Sequence, residues 1–299
     1  MKERCTLARR NNPERLGAPQ PDPPTTPETT HNQGQEIDPL SFIVPTEFVS
    51  LPTKGLYYPV GHPLHGEEAV EIKYMTAKEE DLLSSKSLLE KGLVIDRLIE
   101  NLLVNKKIRS RDLFLADRDA ILVTARASGY GREYKTRLAC RECSHTDLYE
   151  YDLSTAMIKD PPTPELLEAN DVVETTTGNF TVTIPSSPVD ITFRFLTAHD
   201  ERTMLDLSQK RKKKKMSDHM ITDQLNLMIV SVMGHTARDT IQQFVETLPL
   251  RDSRFLRGVY ENICPAIQLK KEFVCNQCDY EDDVRFPFTT DFFWPDTRI

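Results

Sequence analysis

Cys140-Arg141-Glu142-Cys143 and Cys275-Asn276-Gln277-Cys278 are the two stretches that decide the fold. Each Cys-x-x-Cys lies between two runs with the composition of β-strands, so each is expected at the tip of a hairpin. A tight turn at this spacing points both sulfurs at one position, and two such pairs supply the four thiolates of a closed tetrahedral zinc site. Four of the six cysteines belong to these pairs. The predicted metal ligands are Cys140, Cys143, Cys275 and Cys278.

The cysteine spacing leaves several interpretations open. A disulfide framework is disfavoured, because no signal peptide opens the chain and cysteines are few. A redox Cys-x-x-Cys usually opens a helix after a strand, whereas each pair here lies between strands. Free buried thiols, one shared zinc, and two separate sites completed by His145 or by a second chain all remain. A zinc ion with four thiolate ligands has no open position for water, so it would be structural.

Length and composition limit the class of protein. A chain of 299 residues can bury a sizeable core in one domain or two. The net charge of −8 does not favour a polyanion-binding protein. No apolar run reaches about 18 residues, so no membrane span is expected. The absence of a visible signal peptide predicts synthesis in a reducing cytoplasm, which suits zinc-bound thiolates.

The chain divides into four segments of different character. Residues 1–40 are rich in proline and poor in apolar residues, so we expect a disordered arm. Residues 41–153 and 176–299 are predicted to form two related α+β units, each with strand, helices and a zinc-ribbon-like Cys-x-x-Cys hairpin. Residues 154–175 are predicted to be a linker, since Asp160-Pro-Pro-Thr-Pro164 excludes regular structure there.

Local patterns predict the main elements of both units. Val70–Tyr74 alternates as a half-buried strand, and Thr76-Ala-Lys-Glu79 has the spacing of a helix capping box. A helix is expected from about Val94 to Val104, and another, capped by Asp117, to near Gly129. The remaining strands are expected at about 133–139 and 146–152, around the first cysteine pair, and at Asn179–Ile184 and Asp190–Phe195, joined as a hairpin.

The second half repeats the first. At one constant offset, Val70, Ile72, Tyr74, Thr76, Glu79 and Glu80 correspond to Ile191, Phe193, Phe195, Thr197, Asp200 and Glu201. At a second, larger offset, Leu115, Asp117, Cys140 and Cys143 correspond to Leu250, Asp252, Cys275 and Cys278. Duplication explains this pattern, and chance similarity of two short units is the alternative. If the halves pack about a pseudo-twofold axis, their tips can meet at one metal ion.

Two features invite a functional or a purely structural interpretation. The larger offset places extra residues in the second half, where Lys210-Arg-Lys-Lys-Lys-Lys215 lies. This basic loop or frayed helix end is either solvated or contacts nucleic acid or an acidic protein surface, and the lack of interleaved aromatics argues against a single-strand groove. Tyr57-Tyr58 either anchor a partner or pack on their own domain.

The motifs of common enzymes are absent. We find no Gly-x-x-x-x-Gly-Lys phosphate loop, no Gly-x-Ser-x-Gly nucleophile elbow and no His-Glu-x-x-His pair. The expected protein is therefore not an enzyme.

Three stretches carry a resemblance to a known family: Leu51-Pro-Thr-Lys-Gly-Leu-Tyr-Tyr-Pro59, Glu71-Ile-Lys-Tyr-Met-Thr-Ala-Lys-Glu-Glu-Asp-Leu-Leu83 and Ala125-Arg-Ala-Ser-Gly-Tyr-Gly131. In these the chain resembles the baseplate hub proteins of T-even-type contractile-tailed bacteriophages. The resemblance covers residues 42–153, with the Cys140/Cys143 hairpin at its end. Residues 1–40 and Lys210–Lys215 lie outside it.

The resemblance implies a non-enzymatic structural component or assembly factor of the tail baseplate hub. Such a protein would be located in the virion, and in the host cytoplasm during assembly. Its partners would be other baseplate and hub proteins, with the tape-measure protein as a further candidate. The alternative is a nucleic-acid-binding zinc-ribbon protein that uses Lys210–Lys215.

Overall fold

Short strands and helices alternate through the first half of the chain. The computed structural model describes residues 44–285 and 290–293, so the predicted arm, residues 1–40, lies outside the described residues. The elements of the first half are β1 (Thr46–Ser50), β2 (Ala69–Lys73), α1 (Ala77–Leu83), α2 (Lys86–Glu90), α3 (Val94–Leu102), α4 (Leu115–Tyr130), β3 (Glu133–Ala139) and β4 (Thr146–Asp152).

The second half has longer helices and one larger sheet. Its elements are β5 (Met157–Lys159), α5 (Pro164–Ala169), β6 (Val172–Thr176), β7 (Asn179–Thr183), β8 (Asp190–Arg194), α6 (Ala198–Lys213), α7 (Met220–Met228), β9 (Ile229–Val232), α8 (Arg238–Thr247), α9 (Leu250–Ile263), β10 (Ala266–Gln268), β11 (Lys270–Val274) and β12 (Glu281–Arg285). Short 3-10 turns lie at 110–112, 153–155 and 290–293.

The sheets are small and antiparallel. β1–β2, β3–β4, β5–β10 and β11–β12 are two-stranded ribbons, and β6, β7, β8 and β9 form one sheet in that order. An isolated ribbon is marginally stable, so each must pack on helices or on other ribbons. The predicted α+β class is confirmed in this sense. Among the described residues, no helix is both long and apolar enough to cross a membrane.

Several local predictions are confirmed. The Thr76 backbone N–H donates to Glu79 Oε2 at 2.9 Å, and the Thr76 hydroxyl oxygen accepts from Lys78 N at 3.3 Å. Thr197 makes the corresponding contact to Asp200 Oδ2 at 2.8 Å. These pairs satisfy amide groups that the first turn of a helix leaves free. β3 and β4 coincide with the predicted strands, and β7 pairs with β8 as the predicted hairpin.

Two local predictions were wrong. The linker 154–175 was expected to lack regular structure because of its prolines, but it contains β5, α5, which begins at Pro164, and most of β6. Proline is tolerated at the first helical position because its missing N–H has no helical partner there, and Thr163 caps the helix by accepting from Leu166 N at 3.3 Å. Asp117 does not cap α4. Phe114 is the cap residue, and Asp117 lies in the first turn with its side chain fully buried.

The apolar residues form two main clusters. One packs β1, β2, α3 and α4 together with Phe292 and Phe293. The other packs β6–β9 against α7, α8 and α9. Tyr57 joins them, since its ring meets Phe114, Phe180 and Phe195 edge-on, the last with centroids 5.1 Å apart. The Tyr57-Tyr58 pair therefore packs on its own chain.

Candidate metal centre

Two hairpins carry the cysteine pairs, and both are built in the same way. The Ala139–Thr146 pair closes the loop 140–145 at the end of β3 and β4. The Val274–Glu281 pair closes the loop 275–280, of the same length, at the end of β11 and β12. The strands thus fix where each loop starts and ends, and the two cysteines of each loop occupy equal positions.

The first loop turns on itself through its backbone. Cys140 N donates to His145 O at 2.8 Å and Ser144 N donates to Cys140 O at 3.0 Å. Glu142 N lies 3.4 Å from Cys140 Sγ and donates to it. Ser144 adopts a left-handed conformation with φ of 59°, which tightens the turn after the second cysteine.

The second loop repeats these contacts position by position. Cys275 N donates to Tyr280 O at 2.9 Å and Asp279 N donates to Cys275 O at 3.0 Å. Gln277 N donates to Cys275 Sγ at 3.4 Å, and Asp279 has φ of 54°. Both loops therefore present a sulfur that already accepts a backbone N–H.

The structure brings all four predicted ligands together. The four sulfurs lie within 4.8 Å of one another, with Cys140 and Cys278 at 3.7 Å and Cys143 and Cys275 at 3.6 Å. A tetrahedral zinc site with Zn–S bonds of ~2.3 Å places its sulfurs about 3.8 Å apart. A disulfide needs about 2.05 Å, so these thiols are not bonded to each other. The arrangement can hold one metal ion, and it is compatible with zinc.

Contacts around the sulfurs are reciprocal between the two loops. Arg141 Nη1 lies 2.9 Å from Asp282 Oδ2, and Asn276 Nδ2 donates to Asp147 Oδ2 at 2.7 Å. Arg141 and Asn276 follow the first cysteine of their loops, and each binds the aspartate at the matching position of the other hairpin. Reciprocal contacts of this kind are expected where two equivalent surfaces meet about a twofold axis.

These four polar residues were missed by the sequence reasoning. Arg141 and Asp147 have the same spacing from Cys140 as Asn276 and Asp282 have from Cys275. The matched spacing could have indicated that the four residues have equivalent roles. It does not predict that the two hairpins, which are distant in the chain, are in contact.

An apolar layer supports the inner side of the cluster. Cys140, Phe273 and Cys275 are buried, with Tyr149 and Tyr280 packed against them. The Tyr149 ring meets the Phe273 ring with centroids 4.8 Å apart, and Tyr149 OH donates to Val274 O at 3.2 Å. One cysteine of each pair is therefore buried, whereas Cys143 and Cys278 are exposed.

The thiol groups of the cluster differ in acidity. The Cys143 backbone N–H stabilises the Cys140 thiolate and lowers the pKa of Cys140 to about 7. The Tyr280 backbone N–H acts in the same direction on Cys278, but desolvation and the neighbouring thiol groups outweigh it and raise the pKa of Cys278 to about 12. A bound cation removes the repulsion between thiolates, so metal binding would release protons.

The other candidate ligands lie elsewhere or play another part. His145 contributes its backbone oxygen to the first loop, and the second cysteine pair completes the set of four sulfurs. Cys264 lies outside the cluster, and burial raises its pKa to about 11. In the part of the chain that the structure describes, no second group of three or more Cys, His, Asp or Glu side chains is placed to hold a metal ion.

Comparison with known proteins gives one family. The model of the T4 bacteriophage base plate protein family matches residues 58–294, which include both cysteine pairs and well over half of the chain. No curated protein and no solved structure matches the chain. The match extends beyond the first half, in which the resemblance was found, into the second. The chain belongs to the family of T4 bacteriophage base plate proteins.

Proposed function

We propose that this protein is a non-enzymatic structural component or assembly factor of the baseplate hub in a contractile phage tail. It would be found in the tail of the virion and, during assembly, in the host cytoplasm. Its partners would be other baseplate and hub proteins, and the tape-measure protein is a further candidate. The family match supports a baseplate role.

We further propose that one structural zinc ion, held by Cys140, Cys143, Cys275 and Cys278, stabilises the protein. The observation that carries this proposal is the convergence of four sulfurs from two hairpins that are distant in sequence. When bound, zinc would supply four metal–sulfur bonds and no open position for a substrate. The backbone N–H groups of Glu142 and Gln277 hold two of the sulfurs in place.

The two hairpins would belong to two related units, 41–153 and 176–299, joined by the segment 154–175. Three features support duplication: the matching capping boxes at Thr76 and Thr197, the matching loops around the cysteines, and the reciprocal contacts between them. The zinc would then lie on a local pseudo-twofold axis, where equivalent parts of the two units meet.

The metal and the location are tested separately. Protein purified without chelator is expected to contain one zinc per chain by mass spectrometry under native conditions and by elemental analysis. Two zincs per chain would favour separate sites, and no metal in fresh protein would remove the zinc proposal.

Quantitative mass spectrometry of purified particles is expected to find the protein at a fixed ratio to other baseplate proteins. Its absence from tails and from assembly intermediates would contradict the hub role.

A further inference from the structure

A large open groove crosses the surface of the second half. It has a volume of about 1030 Å³ and lies between the end of α6 and helices α7, α8 and α9. Its floor includes the buried Leu225 and Val245. Its rim carries three apolar side chains with large exposed fractions: Met216 56%, Ile221 48% and Leu250 69%. Grouped exposed apolar residues of this kind often mark a binding surface.

The basic run lies beside this groove, because the lysines at 212–215 fall between Arg211 and Met216, which both line it. Leu207 and Arg211 line the groove from successive turns of α6, and Met216 lines it just beyond the end of that helix. Arg211 is already paired with Asp223, through Nη2 and Oδ1 at 2.8 Å. The lysine side chains at 210 and 212–215 make no ion pair or hydrogen bond with any described residue, and all five residues are exposed.

The fold itself does not require this groove. α6 runs over Ala198–Lys213, whereas α1, its counterpart in the first half, is only Ala77–Leu83. The extra residues of the second half thus build one wall of the groove and place the lysines beside it. Basic residues in the last helical turn complement the helix dipole, but that effect needs far fewer charges and no apolar rim.

We propose that the groove binds an acidic amphipathic segment of another protein. Apolar side chains of that segment would lie against Met216, Ile221 and Leu250, and its carboxylates would face the lysines at 212–215. This inference rests on the proposed function in one respect, because it assigns a surface to the partner contacts that a baseplate protein needs.

The lining of the groove favours a protein over a nucleic acid. Apolar rim residues offer nothing to phosphates, and the described lining residues include no Phe, Tyr or Trp on which bases could stack. An amphipathic acidic segment matches both the apolar rim and the lysines beside it. Methionine at the rim suits such a contact, because its flexible side chain adapts to different apolar partners.

The test measures binding of labelled peptides to the full chain by fluorescence anisotropy. The probe is a synthetic peptide with leucines on one helical face and glutamates on the other. We expect saturable binding that weakens about tenfold with Met216→Ser plus Leu250→Ser, and about tenfold with serine at positions 212–215. A matched peptide with lysines instead of glutamates is expected not to bind.

Control variants keep the same chemistry outside the groove. Phe48→Ser removes an apolar side chain that is 73% exposed, and Lys107→Ser removes an exposed lysine of the first half. Both are expected to bind the acidic peptide as the parent does. Equal loss in these controls would contradict a local groove.

Three results would overturn the proposal. The first is no saturable binding of the acidic peptide. The second is salt-sensitive binding of single-stranded oligothymidine that is unaffected by Met216→Ser plus Leu250→Ser, which would assign the lysines to nucleic acid. The third is a dimer of the parent that this double variant dissociates, which would assign the groove to a second copy. None of these results depends on zinc content or on incorporation into particles, so the proposed function stands or fails separately.

Discussion

In each half, a buried aspartate in the first turn of a long helix holds the loop that follows a strand, but the two loops are not held equally well. Asp117 and Asp252 are each the third residue of their helix, α4 and α9, and both are fully buried. Thr53 N donates to Asp117 Oδ1 at 3.0 Å, and Ser186 N donates to Asp252 Oδ1 at 3.1 Å. In both halves the donor follows a proline at the end of a strand.

The second oxygen of each carboxylate is where the halves differ. Asp117 Oδ2 accepts from the Thr53 hydroxyl at 2.6 Å and from Tyr58 OH at 2.7 Å. Asp252 Oδ2 has no hydrogen-bond partner among the described residues. The donors come from the loop 51–68 between β1 and β2, whereas the equivalent loop 184–189 between β7 and β8 is too short to supply them. The same plan thus carries a tightly anchored loop in one half and a minimal turn in the other.

The largest effect is expected from a change in the cysteine cluster, to which both halves contribute. Cys275→Ser leaves three thiolates in the cluster, and we expect the free energy of unfolding to fall by about 5 kcal/mol or more, since structural zinc contributes about 10–16 kcal/mol in finger peptides. Hydrogen exchange measured by mass spectrometry is expected to rise in β3 and β4 as well as in β11 and β12. Cys264→Ser, outside the cluster, is the control. Faster exchange in the second half alone would mean that the hairpins do not share a metal.

The next effect contrasts the two aspartates directly. Asp117→Ala leaves three buried donors without a partner, so we expect a loss of about 3–5 kcal/mol of stability in urea unfolding. Asp252→Ala leaves one donor without its partner, the backbone N–H of the exposed Ser186, and is expected to cost about 1–2 kcal/mol. Tyr58→Phe removes one of the two donors to Asp117 Oδ2 and is expected to cost about 1 kcal/mol. Equal losses for the two alanine variants would show that the extra hydrogen bonds add nothing.

A glycine in the longer loop gives the third effect. Gly55 has φ of 67°, and a Cβ there would lie 2.4 Å from Leu64 O and 2.5 Å from Glu67 N. Because both neighbours are backbone atoms, Gly55→Ala is expected to cost about 2–4 kcal/mol. In the same loop, Gly61 also has positive φ but open space around it. Gly61→Ala is therefore expected to cost only about 1 kcal/mol in thermal unfolding, and similar losses for both would refute a close-packed loop.

The smallest effect depends on pH. Burial raises the pKa of Asp119 to about 6, against the attraction of Arg118. The folded state then holds this proton more tightly than the unfolded chain, so the contribution to stability is present below about pH 4 and is lost as pH rises to about 6. Asp119→Asn is expected to remove about 1–2 kcal/mol of this dependence in urea unfolding at several pH values.

The corresponding position in the second half provides the control. It is occupied by the exposed Arg254, so Arg254→Asn is expected to leave the dependence between pH 4 and 6 unchanged. If Asp119→Asn and the parent showed the same pH profile, Asp119 would titrate normally in the folded protein.

Local features were predictable from the sequence, and distant contacts were not. The positions of strands β3 and β4, the capping boxes and the cysteine spacing each depend on a few neighbouring residues, so they could be predicted directly. The partners of Asp117 come from the loop around Thr53 and Tyr58, which is far away in the chain. In the sequence, an acidic residue near the start of a helix looks like a cap, whether it caps the helix or binds a distant loop. The meeting of the two hairpins was expected only because the halves correspond.

The distance in sequence between the two cysteine pairs has a consequence for synthesis. Cys143 and Cys275 touch across 132 positions of the chain. A ribosome adds about 5–20 residues per second, so the first pair waits roughly 7–26 s before the second is made. Until then a nascent chain can offer a metal ion only half of its ligands. If the four cysteines bind one ion, as proposed, closure of the centre would report that translation has passed both hairpins, and a truncated product could not form the site.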